Sequence, residues 1–159
     1  MELTDKELEE RREGVQAFRV LFCIDGSEES YQALQYSATM VHPLEADMVL
    51  LYVRPIDHGL RTGGLQISVA RQKMLDWGLE LPGIRYLKKA RDKLIEWGEM
   101  ADDWDYHQAH ADVAGDPLGN NSVEYITKSG REVVLELKVS AGIALGILEK
   151  AEESQFDLI

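Results

Sequence analysis

The chain has 159 residues, one cysteine and a formal net charge of −12, from 17 Lys and Arg against 29 Asp and Glu. This length suits a single domain, and 45% apolar residues are enough for a core. The lone cysteine excludes an internal disulfide and a multi-cysteine zinc site, which favours a cytoplasmic protein. The acidic balance argues against nucleic-acid binding, and we expect no membrane span because no apolar run approaches roughly 18 residues.

Residues 1–17 are predicted as a charged helical extension that precedes a domain over 18–159. Thr4, with a glutamate three positions later, fits a capping box and predicts a short helix over 4–13. Few residues in this helix are apolar, and chain termini are often poorly ordered. We therefore expect the extension to be loosely docked.

Two apolar runs, 18–24 and 48–53, flank a segment with helical periodicity. Runs of this kind are typical of strands that are buried on both faces of a parallel sheet. Ser27 is a good N-cap residue after the first run. The apolar residues that follow at helical spacing are Tyr31, Leu34, Ala38 and Val41. Strand, helix and strand together predict a parallel βαβ unit.

Residues 54–101 predict a less regular stretch followed by a second long helix. A short helix over 67–77 is a weaker prediction than the helix over 84–101, which carries an apolar stripe. The stripe consists of Leu87, Ala90, Leu94, Trp97 and Ala101.

Residues 102–131 interrupt the alternation of strands and helices with acidic residues and turn signals, and we interpret them as an insertion. Within and after it, 123–128 and 132–139 alternate apolar and polar residues around a Ser-Gly turn, which predicts an antiparallel hairpin. A last helix over 142–154 is expected to bury Ala144, Ile147, Leu148 and Ala151. Residues 156–159 then begin another strand.

An open α/β sheet binds ligands beyond the carboxyl ends of its strands. Here Asp25 and Gly26 follow the first strand, and Val53 ends the second. The Asp25 carboxylate can accept hydrogen bonds from an exocyclic amine or a ribose hydroxyl. The alternative is that Asp25 only caps the following helix together with Ser27.

Other chemistry-bearing residues give weaker signals. His107 and His110 lie near three carboxylates, but their spacing matches no tight metal motif, so we expect no metal site. The carboxylates are Asp103, Asp105 and Asp112. Cys23 lies in an apolar strand and is expected to be inert packing. No nucleophile and base have the spacing of a known catalytic arrangement, so we assign no catalytic residue.

Three segments, 18–53, 84–98 and 132–159, resemble universal stress proteins in their order and spacing. The resemblance is carried by RVLFCIDGSE over 19–28, by ADMVLLYV over 46–53, and by the final strand, helix and FDLI. It implies a Rossmann-like sheet of the adenine nucleotide alpha-hydrolase type, with strand order 3-2-1-4-5 and frequent homodimers. The insertion departs from the short link that this family usually has.

The resemblance also implies a nucleotide site. In members that bind ATP, an Asp after strand one and a Val ending strand two hold the adenosine, and these match Asp25 and Val53. Val53, Ile24 and Cys23 would frame the adenine of ATP or AMP, and Gly26 would let the ligand come close. The nucleotide would act as a regulatory cofactor in a stress response, with at most slow hydrolysis. The family holds phosphates with G-x-x-G-x9-G-[ST] after strand four, which would begin beyond Ile159. The resemblance therefore implies half of a nucleotide site, and the alternative that this chain binds no cofactor stays open.

Two alternatives remain. The same fold could serve as an interaction module without a nucleotide, acting through dimerisation or through a protein partner that docks on the insertion. An enzyme of the wider alpha-hydrolase group would need a phosphate loop directly after strand one, where residues 25–29 are too acidic.

Overall fold

The computed structural model describes residues 1–56, 73–77 and 81–159. The strands are β1 (Arg19–Cys23), β2 (Asp47–Pro55), β3 (Asp105–Val113), β4 (Asp116–Ile126) and β5 (Glu132–Ser140). The α-helices are α1 (Asp5–Arg12), α2 (Glu28–Val41), α3 (Pro82–Glu96) and α4 (Ile143–Glu153). Short 3-10 turns span His42–Leu44 and Met74–Asp76. Most of the helix predicted over 67–77 lies outside the described residues.

The strands form one open, mixed sheet in the order β1-β2-β5-β4-β3. β1, β2 and β5 are parallel, β4 is antiparallel to β5, and β3 is antiparallel to β4. Four of the strands therefore run in the same direction, which confirms the α/β class with flanking helices. The predicted hairpin is confirmed as β4 and β5. β3 was not predicted. It forms a second antiparallel hairpin with β4, so the insertion is part of the sheet.

The helices lie on opposite faces of the sheet. α2 and α3 pack on the larger core, and the residues predicted to face inward from α2 are all buried. α4 and the segment after it place Ile147 and Phe156 against a smaller cluster on the other face. Among the parallel strands, β2 lies beside β1 and β5 lies beside β2, with the hairpin of β3 and β4 beyond β5 on the same side. Leu158 then pairs in parallel with Val20 on the other edge of β1, so the direction of winding reverses beside β1.

The N-terminal segment is firmly docked, and the expectation of loose docking is wrong. The predicted capping box at Thr4 is present at the start of α1. Leu3 and Leu8 are buried in a cluster with Ile126 of β4. Arg11 donates to Asp105 of β3 at 2.6 Å. The two apolar residues and the ion pair together attach α1 to the inserted hairpin.

The long helices differ from expectation at one end or on one face. α3 ends at Glu96, before the predicted Ala101, because Gly98 follows with a φ of +78° and terminates the helix. In α4 the buried residue is Gly146, whereas Ala144 and Leu148, expected to be buried, are exposed. A Cβ on Gly146 would lie 2.5 Å from Val53, so this glycine sets the contact face. None of the helices in the described ranges is long and apolar enough to cross a membrane.

Candidate functional site

The tips of β1 and β2 lie side by side at the carboxyl edge of the sheet. Cys23 pairs with Leu51, and the N–H of Ile24 donates to the Leu51 carbonyl at 2.8 Å. Asp25 lies two residues beyond the end of β1, and Val53 lies two residues beyond Leu51 in β2, so both lie near this edge of the sheet. Parallel pairing of β1 and β2 thus brings the two residues that were predicted to share a site to the same edge.

Asp25 is exposed and is held by its own turn. Its Oδ1 accepts hydrogen bonds from the backbone N–H of Ser27 at 2.8 Å and from the Ser27 hydroxyl at 2.6 Å. These bonds lower the pKa of Asp25, so the carboxylate is ionised at neutral pH. Ser27 in turn caps α2 by accepting from the N–H of Ser30. Asp25 therefore supports the helix cap, and Oδ1 is the oxygen that both Ser27 groups reach.

Gly26 makes room for an aromatic ring of the protein itself. Its φ is +85°, and a Cβ at this position would lie 2.5 Å from Cζ of Tyr86 in α3. The expectation that Gly26 lets a ligand come close is therefore corrected on this side, because the Tyr86 ring covers the glycine. A ligand at the tips would have to approach from the other face.

The remaining predicted site residues divide between the two faces. Ile24 is buried in the core under α2 and α3, and Val53 is buried on the opposite face beneath α4. Cys23 is exposed, which corrects the expectation that it is buried in its strand. Partial burial of the sulfur still raises the pKa of the Cys23 thiol, so it stays protonated at neutral pH. Cys23 and Asp25 are the residues of this set that reach the surface.

Arg85 and Tyr86 are site residues that sequence analysis missed. The Arg85 guanidinium lies 5.2 Å from the centre of the Tyr86 ring, and its Nη2 is 3.5 Å from the Tyr86 hydroxyl. Within the described ranges no carboxylate lies at ion-pair distance from Arg85. These residues follow Gly26 by about sixty positions and carry no motif, so only tertiary packing reveals them.

A buried ion pair lies at the end of β2. Nη2 of Arg54 donates to Oδ1 of Asp116 at 2.6 Å, and the N–H groups of Leu118 and Gly119 reach the same oxygen. Burial opposes ionisation of Asp116, but the hydrogen bond and charge of Arg54 outweigh it and lower its pKa. This pair joins the parallel part of the sheet to the inserted hairpin.

The two histidines of the insertion bind neighbouring side chains. His107 contacts Glu124 through Nδ1 at 3.0 Å, and His110 contacts Asn121 through Nδ1 and Asp112 through Nε2, both at 2.8 Å. The described residues contain no group of three or more His, Cys, Asp or Glu that could hold a metal ion.

Four grooves on the described part of the surface lie away from the tips, since none of the four is lined by Asp25, Val53 or the other predicted site residues. No family model, curated protein or solved structure matches the chain. Its function must therefore be inferred from its own geometry.

Proposed function

We propose that this domain binds an adenine nucleotide, ATP or AMP, at the carboxyl ends of β1 and β2 as a regulatory cofactor. The observation that carries the proposal is the reversal of winding beside β1, which lies next to the exposed and oriented carboxylate of Asp25. In open α/β sheets, such a reversal leaves a crevice outside the strand ends where ligands bind.

Asp25 contacts the adenosine part of the ligand in this proposal. Its Oδ1 is occupied by Ser27, and Oδ2 accepts from ribose hydroxyls or from the exocyclic amine of the base. The base lies on the face that exposes Cys23, because Tyr86 fills the other side of Gly26. Backbone groups of Ile24 and Val53 border the same tip.

The phosphates require a cation, since Asp25 would repel them. Arg85 supplies one, because it stacks on Tyr86 at the same tip and has no carboxylate partner among the described residues. Asp25 is a weak general base at neutral pH because its pKa is lowered. The proposed role is accordingly binding, with hydrolysis slow at most. A stress-response protein of the cytoplasm fits this role and the single cysteine.

Calorimetric titration of the full chain with ATP and with adenosine tests the proposal. Asp25→Asn keeps an oxygen for the two Ser27 donors and removes the charge, so the helix cap should survive. Loss of a charge-assisted hydrogen bond of about 1–3 kcal/mol predicts roughly 5- to 100-fold weaker binding of both ligands.

Asp112→Asn serves as the matched control, because that side chain is fully exposed on β3. It should bind both ligands as the parent does. Equal affinity of the parent and of Asp25→Asn, or no binding by the parent, would remove the nucleotide from this tip.

A second candidate is a homodimeric interaction module of the same fold. One side of α2 and the turn after it exposes large apolar side chains at four-residue spacing, with Tyr36 75%, Met40 53% and Leu44 56% exposed. The inserted hairpin is a less suitable docking surface than was expected, because its apolar residues Leu118, Val123 and Tyr125 belong to the core.

Sedimentation equilibrium over a range of protein concentrations tests this second candidate. Burial of Met40 in a dimer predicts that Met40→Lys weakens association at least tenfold, whereas Leu148→Lys, which changes an exposed residue on the helix at the opposite face of the sheet, leaves it unchanged. A parent chain that stays monomeric at all concentrations would contradict the candidate.

A further inference from the structure

A large polar groove lies at the opposite end of the parallel strands from Asp25. It has a volume of about 750 Å³ and is floored by the first residues of β1, β2 and β5 together with part of β4. The end of α1, residues 15–17 and the end of α4 form its walls. This volume lies within the range of about 300–1,000 Å³ that is typical of small-molecule sites.

Two opposite charges on the floor are neighbours in the sheet but are not paired. Arg19 and Asp47 are register partners on the adjacent strands β1 and β2. The Arg19 guanidinium instead stacks on Phe156 at 5.1 Å. Oδ1 of Asp47 accepts from the backbone N–H of Glu132 at 2.8 Å. Across the described ranges neither charged group has an ion-pair partner.

Of these two charged groups, Asp47 is the one that costs more free energy to keep ionised in the folded protein. The residue is 8% exposed, and burial raises the pKa of its carboxyl above the usual range. A buried carboxylate without a cation is stabilised when a ligand brings one to it. Because Asp47 lines the groove, a ligand in the groove can reach it.

Most other charges in the groove neutralise one another. Arg12 pairs with Glu124 at 3.2 Å and also with Glu132, and Lys150 pairs with Glu136 at 2.7 Å. Asp157 binds the backbone N–H of Arg19 through Oδ2 at 2.9 Å. The lining as a whole has three cations and five anions, which disfavours ligands with a net negative charge.

We propose that this groove binds a free amino acid or an equivalent small zwitterion. The ammonium group pairs with Asp47, and the carboxylate pairs with Arg19. Both residues line the groove from register-paired positions on adjacent strands, so one small ligand can reach both charges. The remaining volume accommodates the ligand's side chain. This site is separate from the nucleotide tip and does not depend on it.

Titration of the full chain with each of the twenty amino acids, followed by amide NMR shifts, tests the proposal. At least one amino acid should shift the amides of Arg19, Asp47 and Glu132. Its N-acetyl and carboxamide derivatives, which each lack one charge, should bind at least tenfold more weakly.

Two variants test whether Asp47 and Arg19 bind the charged groups of the ligand. Asp47→Asn retains an oxygen for the Glu132 N–H and should weaken binding at least tenfold, as should Arg19→Gln. Their matched controls are Asp112→Asn and Lys6→Gln, which change exposed residues outside the groove and should bind as the parent does. The amide spectrum of each variant reports whether it is folded.

Three results would overturn the proposal. The first is no shift in the groove with any of the twenty amino acids. The second is a carboxamide derivative that binds as tightly as the free amino acid, which would show that Arg19 does not bind a carboxylate. The third is unchanged affinity in Asp47→Asn. The derivatives act on the parent chain, so the test stands even if a variant fails to fold.

Discussion

Two aspartates at opposite ends of the parallel strands differ in exposure and in hydrogen bonding, and their pKa values shift in opposite directions. Asp25 is exposed, accepts two hydrogen bonds from Ser27, and has a lowered pKa. Asp47 is buried, accepts one hydrogen bond from the N–H of Glu132, and has a raised pKa. Asp25 is ionised at little cost and is ready to accept bonds. Asp47 is ionised at a cost that a cationic ligand would relieve.

A third aspartate separates the effect of burial from the effect of pairing. The Asp116 side chain is completely buried, yet its pKa is lowered because Arg54 donates to it. Asp47 is nearly as buried, and among the described residues no cation lies at ion-pair distance from it, although Arg19, Arg131 and Arg12 act on it from further away. Burial alone therefore does not decide the direction of the pKa shift, and a directly bonded cation does.

The largest expected effect concerns this paired aspartate. Asp116→Asn leaves Arg54 buried without its counter-charge and should lower the free energy of unfolding by about 3–5 kcal/mol. Urea denaturation at pH 7 measures the loss. A loss below about 1 kcal/mol would show that the ion pair does not matter, and it would break the contrast with Asp47.

Gly26→Ala should have the next largest effect. For alanine, the positive φ costs about 1–2 kcal/mol of folding free energy, and displacement of the Tyr86 ring costs about 1–3 kcal/mol more. Gly98→Ala is the matched control, because Gly98 has a φ of +78° and nothing within 4 Å of an added Cβ. Thermal or urea unfolding should show a clearly larger loss at Gly26. Equal losses would mean that Tyr86 does not cover the tip.

Asp25→Ala should lower the free energy of unfolding by about 0.5–1.5 kcal/mol, since two hydrogen bonds to Ser27 are lost at an exposed site. The contribution of the lowered pKa is present above the usual aspartate range and is lost as the pH falls through the lowered value. Unfolding of the parent and the variant from pH 7 down to about pH 2 should therefore converge. A difference that persists at the lowest pH would assign the effect to the cap alone.

Asp47→Asn should have the smallest effect and the opposite sign. Asparagine keeps the acceptor for Glu132 and removes a poorly compensated charge, so the variant should equal the parent or exceed it by up to about 1 kcal/mol at pH 7. Because the folded-state pKa is raised, the penalty exists above the usual aspartate pKa and disappears below it. The gain should vanish near about pH 3. A strong destabilisation at pH 7 would show that the charge of Asp47 stabilises the fold.

Much of the parallel part of the sheet could be predicted from the sequence. β1, α2 and β2 have continuous apolar runs or a clear helical stripe, and the Ser27 cap marks the start of α2. β3 was missed because it is an edge strand with polar residues on both faces, and no residue of it is fully buried, so it lacks the apolar run that marks β1 and β2. The docking of α1 depends on Leu3, Leu8 and their distant partner Ile126, which no local pattern reveals.

The site was predictable only where adjacency follows from strand pairing. Asp25 follows the end of β1 and Val53 lies near the end of β2, so parallel pairing brings both to the same edge of the sheet. The covering of Gly26 by Tyr86 depends on how α3 packs, and the groove at Asp47 depends on five separate stretches of the chain. Neither feature has a signal in a single stretch of sequence.

Amide NMR of the full chain during titration with ATP tests the central claim most directly, because it reports on both ends of the strands at once. The account predicts that the largest shifts occur at residues 23–27, Val53 and Arg85, while Arg19, Asp47 and Glu132 stay unchanged. Shifts confined to Arg19, Asp47 and Glu132, or no shifts at saturating ATP, would contradict a nucleotide site at the tips of β1 and β2.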